Sequence, residues 1–134
     1  MKKITTIITT HREGDLLLAS VESCFAAVKK VLEAGVSVEL ILAMDRPCDK
    51  TRFAVEKLVK YDNLIIVEFD IGDQGVVRNQ IIEISTGDYI AFLDGDDLWS
   101  ENWLLLAFQA AQRHGENTVL YPEFNWFFEN SNNI

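Results

Sequence analysis

Along this chain, short runs rich in β-branched residues alternate with longer stretches whose apolar residues recur every three to four positions. Lys3 to Thr10 is the first such run and predicts a strand, closed by the polar His11-Arg12-Glu13-Gly14. From a cap at Asp15, Leu17, Val21, Cys24, Val28 and Val31 mark a long helix, with Leu18, Phe25 and Leu32 widening its stripe. Glu22, Lys29, Lys30 and Glu33 take the opposite side, and Gly35 supplies the stop. Val38 to Met44 predicts a second strand ending at Asp45. After the Arg46-Pro47-Cys48 loop, Asp49 opens a helix to about Lys60, with Phe53, Val55, Leu58 and Val59 as its apolar positions. Leu64 to Phe69 is the third strand, and the loop Asp70 to Gly75 behind it is unusually polar. A helix from about Val76 to Ser85 follows, with Val77, Ile81 and Ile84 expected inside and Gly87 at its end. Tyr89 to Leu93 is a fourth strand, expected to be central and covered on both faces. Ser100 then caps a helix carrying Trp103, Leu104, Ala107, Phe108 and Ala111, stopped by Gly115. Thr118 to Tyr121 is expected as a last short strand before the aromatic-rich Phe124 to Phe128.

This alternation predicts a single α/β domain: an open, mostly parallel twisted sheet with helices on both faces, joined by right-handed crossovers. The unusual polar residues gather just after the carboxyl ends of strands, at Thr10 to Glu13, Asp45 to Asp49, Asp70 to Arg78 and Asp94 to Asp97. In an open α/β sheet that edge binds ligands. If strands two and three build outward from one side of strand one and strand four begins the other, the switch point lies between strands one and four. The Thr10 loop and the Asp94 cluster then face each other.

Composition narrows the choice of ligand. With 134 residues, 49% hydrophobic and 25% charged, this is an ordinary globular composition for one domain. The formal net charge of −9 excludes sequence-independent affinity for nucleic acid or an anionic membrane. An acidic protein that handles phosphates needs a local Arg or Lys, or a metal. Cys24 and Cys48 have neither metal-ligand nor disulfide-framework spacing. Four threonines between Ile4 and Thr10 make a poor signal-peptide core, and no apolar run approaches the roughly 20 residues of a membrane span. The chain reads as cytoplasmic, without a transmembrane segment.

Asp94-Gly95-Asp96-Asp97 places three carboxylates in four residues. Like charges this close require a hydrogen-bond network, open solvent or a cation. A solvated acidic turn is the simplest alternative, since Asp-Gly is a good turn dipeptide. Two carboxylates one residue apart can instead share a hard divalent cation, Mg²⁺ or Mn²⁺, with water or substrate oxygens completing its shell. The work of such a cation is to neutralise charge on a leaving diphosphate. Arg78, one turn into the third helix, can add positive charge there or form a surface ion pair with a carboxylate such as Glu83. Asp45, ending an apolar strand, needs donors, which a nucleobase, a ribose or backbone amides in the following loop would supply equally well. Trp99 and Trp103 read as core packing rather than a stacking platform.

Taken together, the strand-one loop, Asp45 at the end of strand two, Gly75-Val76-Val77-Arg78-Asn79, and the run Gly87 to Trp99 closely resemble the nucleotide-binding half of inverting family 2 glycosyltransferases, which have the GT-A fold. The resemblance covers nearly the whole chain. It implies a nucleotide-diphosphate sugar donor, a UDP-sugar foremost, bound with Mn²⁺ or Mg²⁺, and transfer to a saccharide or lipid-linked acceptor in cell-surface glycan or polysaccharide synthesis. By that resemblance, Thr10 and Glu13 line the base pocket and Asp45 contacts the base. Arg78 lies by the nucleotide and diphosphate, Asp94 by the ribose and metal, and Asp96 is the direct metal ligand. Two stretches depart from the family pattern: Thr9-Thr10-His11-Arg12 stands where a Pro-Thr-Tyr-Asn type of loop is usual, and Asp45-Arg46-Pro47-Cys48 keeps only the first residue of the common Asp-Asp-Gly-Ser. No carboxylate matches the family's catalytic base, which follows in the next ~100 or more residues of such enzymes. The expectation is therefore the donor-binding half of a longer enzyme. A receiver domain would need paired acids after strand one, and a haloacid-dehalogenase-type phosphatase would carry Asp-x-Asp on its first strand. A dinucleotide-binding domain would need more glycines than Gly14 there. The rival that remains is a non-catalytic nucleotide-sugar-binding module.

Overall fold

The computed structural model describes residues 1–123 and Asn125. The rest of the aromatic stretch Phe124 to Phe128, and the asparagine-rich end from Asn130 to Asn133, lie outside the described residues. In chain order the elements are β1 (Lys3–Thr10), α1 (Leu16–Glu33), β2 (Ser37–Asp45), α2 (Asp49–Glu56), β3 (Leu64–Phe69), α3 (Gln74–Ile84), β4 (Tyr89–Asp94) and α4 (Trp103–His114). The strands form one parallel sheet in the order β3-β2-β1-β4. The switch point expected between strands one and four is there. Two steps outward place α1 and α2 on one face, and the return past β1 places α3 on the other, as right-handed crossovers require.

Strand periodicity divides the core accordingly. Ile4 and Ile8 of β1 join Leu40 and Leu42 of β2 under α1, α2 and α4, where Leu17, Val21, Cys24, Val28, Val55, Leu104 and Phe108 pack. Ile7, Ile41 and Ala43 face the other way and meet Val77 and Ile81 of α3. β1 is buried from Ile4 to Thr10, so its carboxyl end is held between two neighbours.

The sheet's amino end is tied by a polar knot. The Glu39 carboxylate on β2 accepts from Thr5 Oγ1 (2.7 Å), Thr86 N (2.9 Å) and Thr86 Oγ1 (2.9 Å), with Lys3 Nζ 3.8 Å away. Gly87 N donates to Thr5 Oγ1 (2.9 Å), and Lys3 and Asp88 exchange two further bonds. A Cβ at Gly87 would lie 2.5 Å from Thr5 N, so only glycine permits this approach. Burial raises the Glu39 pKa most strongly of any single influence, but the Thr5 and Thr86 hydrogen bonds and the Lys3 charge together hold it below the ordinary value.

Several local expectations give way. β4 is an edge strand among the described strands, pairing with β1 alone, and Ile90 is 36% exposed on the face that α3 only partly covers. Thr118 to Tyr121 is irregular, with Val119 and Tyr121 exposed: strand-forming residues without a neighbouring ladder do not make a strand. α2 ends at Glu56 and continues as turns, burying Thr51, Ala54, Val55 and Leu58, while Phe53 and Val59 face solvent. The exposed Phe53 ring has Lys57 Nζ over it, 4.7 Å from its centroid. Ile84 is exposed because it closes α3 beyond the turn that seats Ile81. α3 starts at Gln74 rather than about Val76, capped by Asp73, which accepts from Val76 N (3.0 Å). Cys48 and Asn102 occupy the N-cap positions of α2 and α4, one residue before Asp49 and two after Ser100.

Candidate functional site

A cleft of about 260 Å³ opens at the carboxyl ends of β1 and β2. Thr9, Thr10, His11 and Glu13 form one wall, Asp45 and Gly72 the other, and Gln74 stands at its end nearest β4. The site is built by loops whose donors and acceptors lock to one another. Glu13 folds back over its own loop, its Oε2 accepting from Thr10 Oγ1 (2.6 Å) and His11 N (2.5 Å). Gly14, at φ +59°, turns the chain into α1 and donates its N–H to Thr51 Oγ1 (3.0 Å). His11 Nδ1 lies 2.5 Å from the carbonyl oxygen of Asp45 and bridges the two walls.

The alternatives left open for Asp45 are now narrower. The residue is 8% exposed, and its carboxylate accepts from two backbone amides, Ile71 N at Oδ1 and Gly72 N at Oδ2, both at 2.8 Å. These amides belong to the loop after β3, not to the loop that follows Asp45 in sequence. Gly72 sits at φ +79°, and the Arg46 guanidinium lies over it so closely that a Cβ there would be 2.3 Å from Nη1. Arg46 is itself in the left-handed region, at φ 46°, with its N–H bonded to Phe69 O (3.1 Å) and Nε bonded to Asp70 Oδ1 (2.6 Å). Asp45 and Arg46 thus clamp the β3 loop from both sides.

Asp94 is the hub on the β4 side. Its Oδ1 accepts from Arg78 Nη2 (2.6 Å), Thr9 Oγ1 (3.1 Å) and Gln74 Nε2 (3.2 Å), and Gln74 also donates to Thr9 Oγ1 (3.3 Å). Arg78 therefore pairs with Asp94 rather than Glu83. Its guanidinium stacks over Phe92 at 5.3 Å, and its buried Nε has no partner among the described residues. Gly95 donates its N–H to Thr9 O (2.7 Å), and a Cβ at that position would lie 2.8 Å from the same oxygen. The glycine lets the acidic turn lie against β1. Asp96 is exposed and makes no hydrogen bond or ion pair among the described residues. Partial burial, followed by the charges of Asp96 and Asp94, raises the Asp97 pKa above its ordinary value. Trp99 packs against the larger core and donates its N–H to Ser23 Oγ (3.1 Å), in keeping with a packing role.

Thr10, Glu13 and Asp45 therefore share one cleft, Arg78 and Asp94 form a pair joined to it through Thr9 and Gln74, and Asp96 stands outside. Sequence reasoning passed over Thr9, His11, Gly72 and Gln74 individually. Their signal was the polarity of the two loops, but which member reaches the site depends on how those loops fold. Among the described residues, no group of three or more His, Cys, Asp or Glu side chains could hold a metal ion. The donor set of Asp94 and Asp96, all carboxylate oxygen and short of positive charge beyond Arg78, nevertheless fits a hard cation that takes its other ligands from water or a phosphate.

The fold is that of the GT-A proteins, an open α/β domain whose cleft lies at the carboxyl edge of the sheet, beside the topological switch point. The chain belongs to glycosyl transferase family 2: the family model "Glycosyl transferase family 2" matches residues 5–132. It is 32% identical over 101 residues, 74% of this chain and 37% of the relative, to UDP-Glc:alpha-D-GlcNAc-diphosphoundecaprenol beta-1,3-glucosyltransferase WfaP of Escherichia coli. With the poly(ribitol-phosphate) beta-glucosyltransferase of Bacillus spizizenii it shares 25% identity over 121 residues, 88% of this chain and 18% of that protein. Among solved structures, Staphylococcus aureus TarS superposes with a TM-score of 0.68 at 21% identity, covering 90% of this chain and 23% of TarS. The mannosyltransferase PcManGT from Pyrobaculum calidifontis, solved in complex with GDP-Man and Mn²⁺, gives 0.68 at 19% identity, covering 81% of this chain and 32% of that one. The chain thus spans well under half the length of these relatives. No helix among the described residues is long and apolar enough to cross a membrane.

Proposed function

We propose that the carboxyl-terminal edge of the sheet is the donor site of a glycosyltransferase. It takes a nucleotide-diphosphate sugar, a UDP-sugar foremost, together with Mn²⁺ or Mg²⁺. The sugar goes to a hydroxyl of a saccharide or lipid-linked acceptor in the synthesis of a cell-surface glycan or polysaccharide. The observation that carries this reading is the meeting of Asp94 with Thr9 and Arg78 across the switch point, beside the cleft and next to a free Asp96. The relatives' donors and acceptors, UDP-Glc and a diphosphoundecaprenol saccharide among them, support the substrate class.

In this reading the nucleoside enters the cleft between the Thr10–Glu13 loop and Asp45. Both Asp45 oxygens already hold a backbone amide, so the carboxylate offers its remaining lone pairs in a set orientation. Glu13 keeps the opposite wall in shape through Thr10 and the His11 amide. Arg78 turns its charge toward the diphosphate while remaining paired with Asp94, and Asp94 and Asp96 are the residues that would hold the cation. When bound, Mn²⁺ or Mg²⁺ supplies charge neutralisation for the departing nucleoside diphosphate. No residue described here is assigned as the base for the acceptor hydroxyl.

Isothermal calorimetry with a panel of nucleoside diphosphates and their sugars, with and without Mn²⁺, tests the reading on this chain and on Asp96→Ala. Binding that Mn²⁺ strengthens, and that loses this strengthening in the variant, is expected. Binding that is as tight without metal and without Asp96, or no binding to any member of the panel, refutes it.

A further inference from the structure

Asp94 has an asymmetry that the donor-site reading does not use. Three donors converge on Oδ1, while Oδ2 receives none among the described residues, and the side chain is 42% exposed. A carboxylate oxygen with three N–H or O–H groups around it has no lone pair left for a ligand. Whatever Asp94 holds, it holds through Oδ2.

Gln74 completes this arrangement. Its amide nitrogen donates both to Thr9 Oγ1 (3.3 Å) and to Asp94 Oδ1 (3.2 Å). Thr9 is buried, and its single hydroxyl hydrogen is directed to the same Oδ1 (3.1 Å). By donating to the Thr9 oxygen, Gln74 commits that hydrogen to Asp94 and strengthens it, because hydrogen bonds in a chain polarise one another. Thr9 does not need Gln74 for its own satisfaction, since it already has Asp94 as an acceptor. Without Gln74 the carboxylate is held by Arg78 and a hydroxyl free to rotate, and it can swivel to offer either oxygen. Gln74 is exposed, the first residue of α3, and its helix is capped by Asp73, so its position is set without burying its side chain.

We propose that Gln74 is a positioning residue for the donor site: with Thr9 and Arg78 it saturates Oδ1 of Asp94, so that Oδ2 alone faces the diphosphate and its cation. This rests on the donor-site reading above. The test is calorimetry of UDP and of GDP, each with Mn²⁺ and with EDTA, on the wild-type chain, Gln74→Met and Gln74→Glu. Methionine keeps the length and removes both donors; glutamate keeps the shape and places an acceptor against Asp94. The enhancement of binding by Mn²⁺ is expected to fall about tenfold or more in Gln74→Met, the lower end of what one hydrogen bond to a charged group is worth, and further in Gln74→Glu. The loss should be larger in Mn²⁺ than in EDTA while the thermal midpoint stays close to wild type, a split that a merely structural role would not produce. Should either variant fail to fold, Gln74→Ala, which shortens an exposed side chain on a helix, takes its place. Unchanged Mn²⁺ enhancement in folded variants, or equal losses with and without metal, overturns the role of Gln74 and leaves the donor site standing. Wild-type protein that shows no Mn²⁺-dependent binding removes the donor-site reading itself.

Discussion

Replacing Asp45 with alanine removes the acceptor for both Ile71 N and Gly72 N. Each bond is 2.8 Å long and made to an ionised group, a class worth about 1.5–3 kcal/mol. The β3 loop is open enough for water to reach the freed amides, which argues for the lower end of that range. We expect Asp45→Ala to cost about 2–4 kcal/mol in total, a large share of the roughly 5–15 kcal/mol that holds a domain together. Asp45→Asn keeps one acceptor but turns an N–H toward an N–H, and should cost about 1.5–2.5 kcal/mol. Urea denaturation followed by tryptophan fluorescence at neutral pH reads both values, with an unchanged slope showing that the unfolded state is not altered. Hydrogen exchange should accelerate at Ile71 and Gly72 before it does in the β1 or β2 ladders. A loss below about 0.5 kcal/mol for Asp45→Ala, with those two amides still protected, would refute the reasoning.

The remaining expectations are more local. Gly95→Ala drives a Cβ to 2.8 Å from Thr9 O and 3.2 Å from Thr10 Cβ, and should lower stability by about 1–3 kcal/mol in the same denaturation assay; an unchanged midpoint would show that the acidic turn can move off β1. Glu39 has its folded-state pKa lowered, so the stability it supplies is complete above its unfolded pKa of about 4.3 and is lost as pH falls through the lower folded value. Glu39→Gln should therefore be less stable than wild type at pH 7, by about 1–2 kcal/mol, with the gap closing below about pH 4; a gap that persists unchanged into acid would contradict the sign. Burial pushes the Cys24 thiol up to about 12, whereas the Thr51 hydrogen bonds lower the pKa of the partly exposed Cys48. A thiol reagent such as Ellman's should therefore label Cys48 alone in native protein and both cysteines in denaturant; rapid native labelling of Cys24 would show that α1 opens readily.

The sheet order was legible because it rests on features that a one-dimensional pattern carries. These are alternating periods, a β1 apolar enough to sit between neighbours, and polar loops confined to one end of the strands. What the pattern does not carry is which distant group completes each polar residue. Asp45 could be seen to need donors, but that Ile71 and Gly72 supply them depends on the left-handed turns at Arg46 and Gly72. Arg78 and Asp94 were singled out separately, and only the β1–β4 pairing brings their charges together. Thr118 to Tyr121 failed as a strand for the converse reason: local preference was present, and no partner strand lies beside it among the described residues. Phe53 misled because a large apolar side chain on a short helix can stay exposed, with only the Lys57 ammonium over its ring.

The knot at the amino end of the sheet sets the reading frame of β4. Thr86, Gly87 and Asp88 are stitched to Lys3, Thr5 and Glu39 before the strand begins, so its alignment with β1 is decided there. Five residue steps later, about 17 Å along the ladder, that alignment delivers Asp94 opposite Thr9. A slip of one residue would turn Asp94 to the α1 face, away from Arg78 and Gln74. Glu39 and Gly87 touch nothing in the cleft, yet they act as the zero mark of a ruler whose far end places the acidic turn.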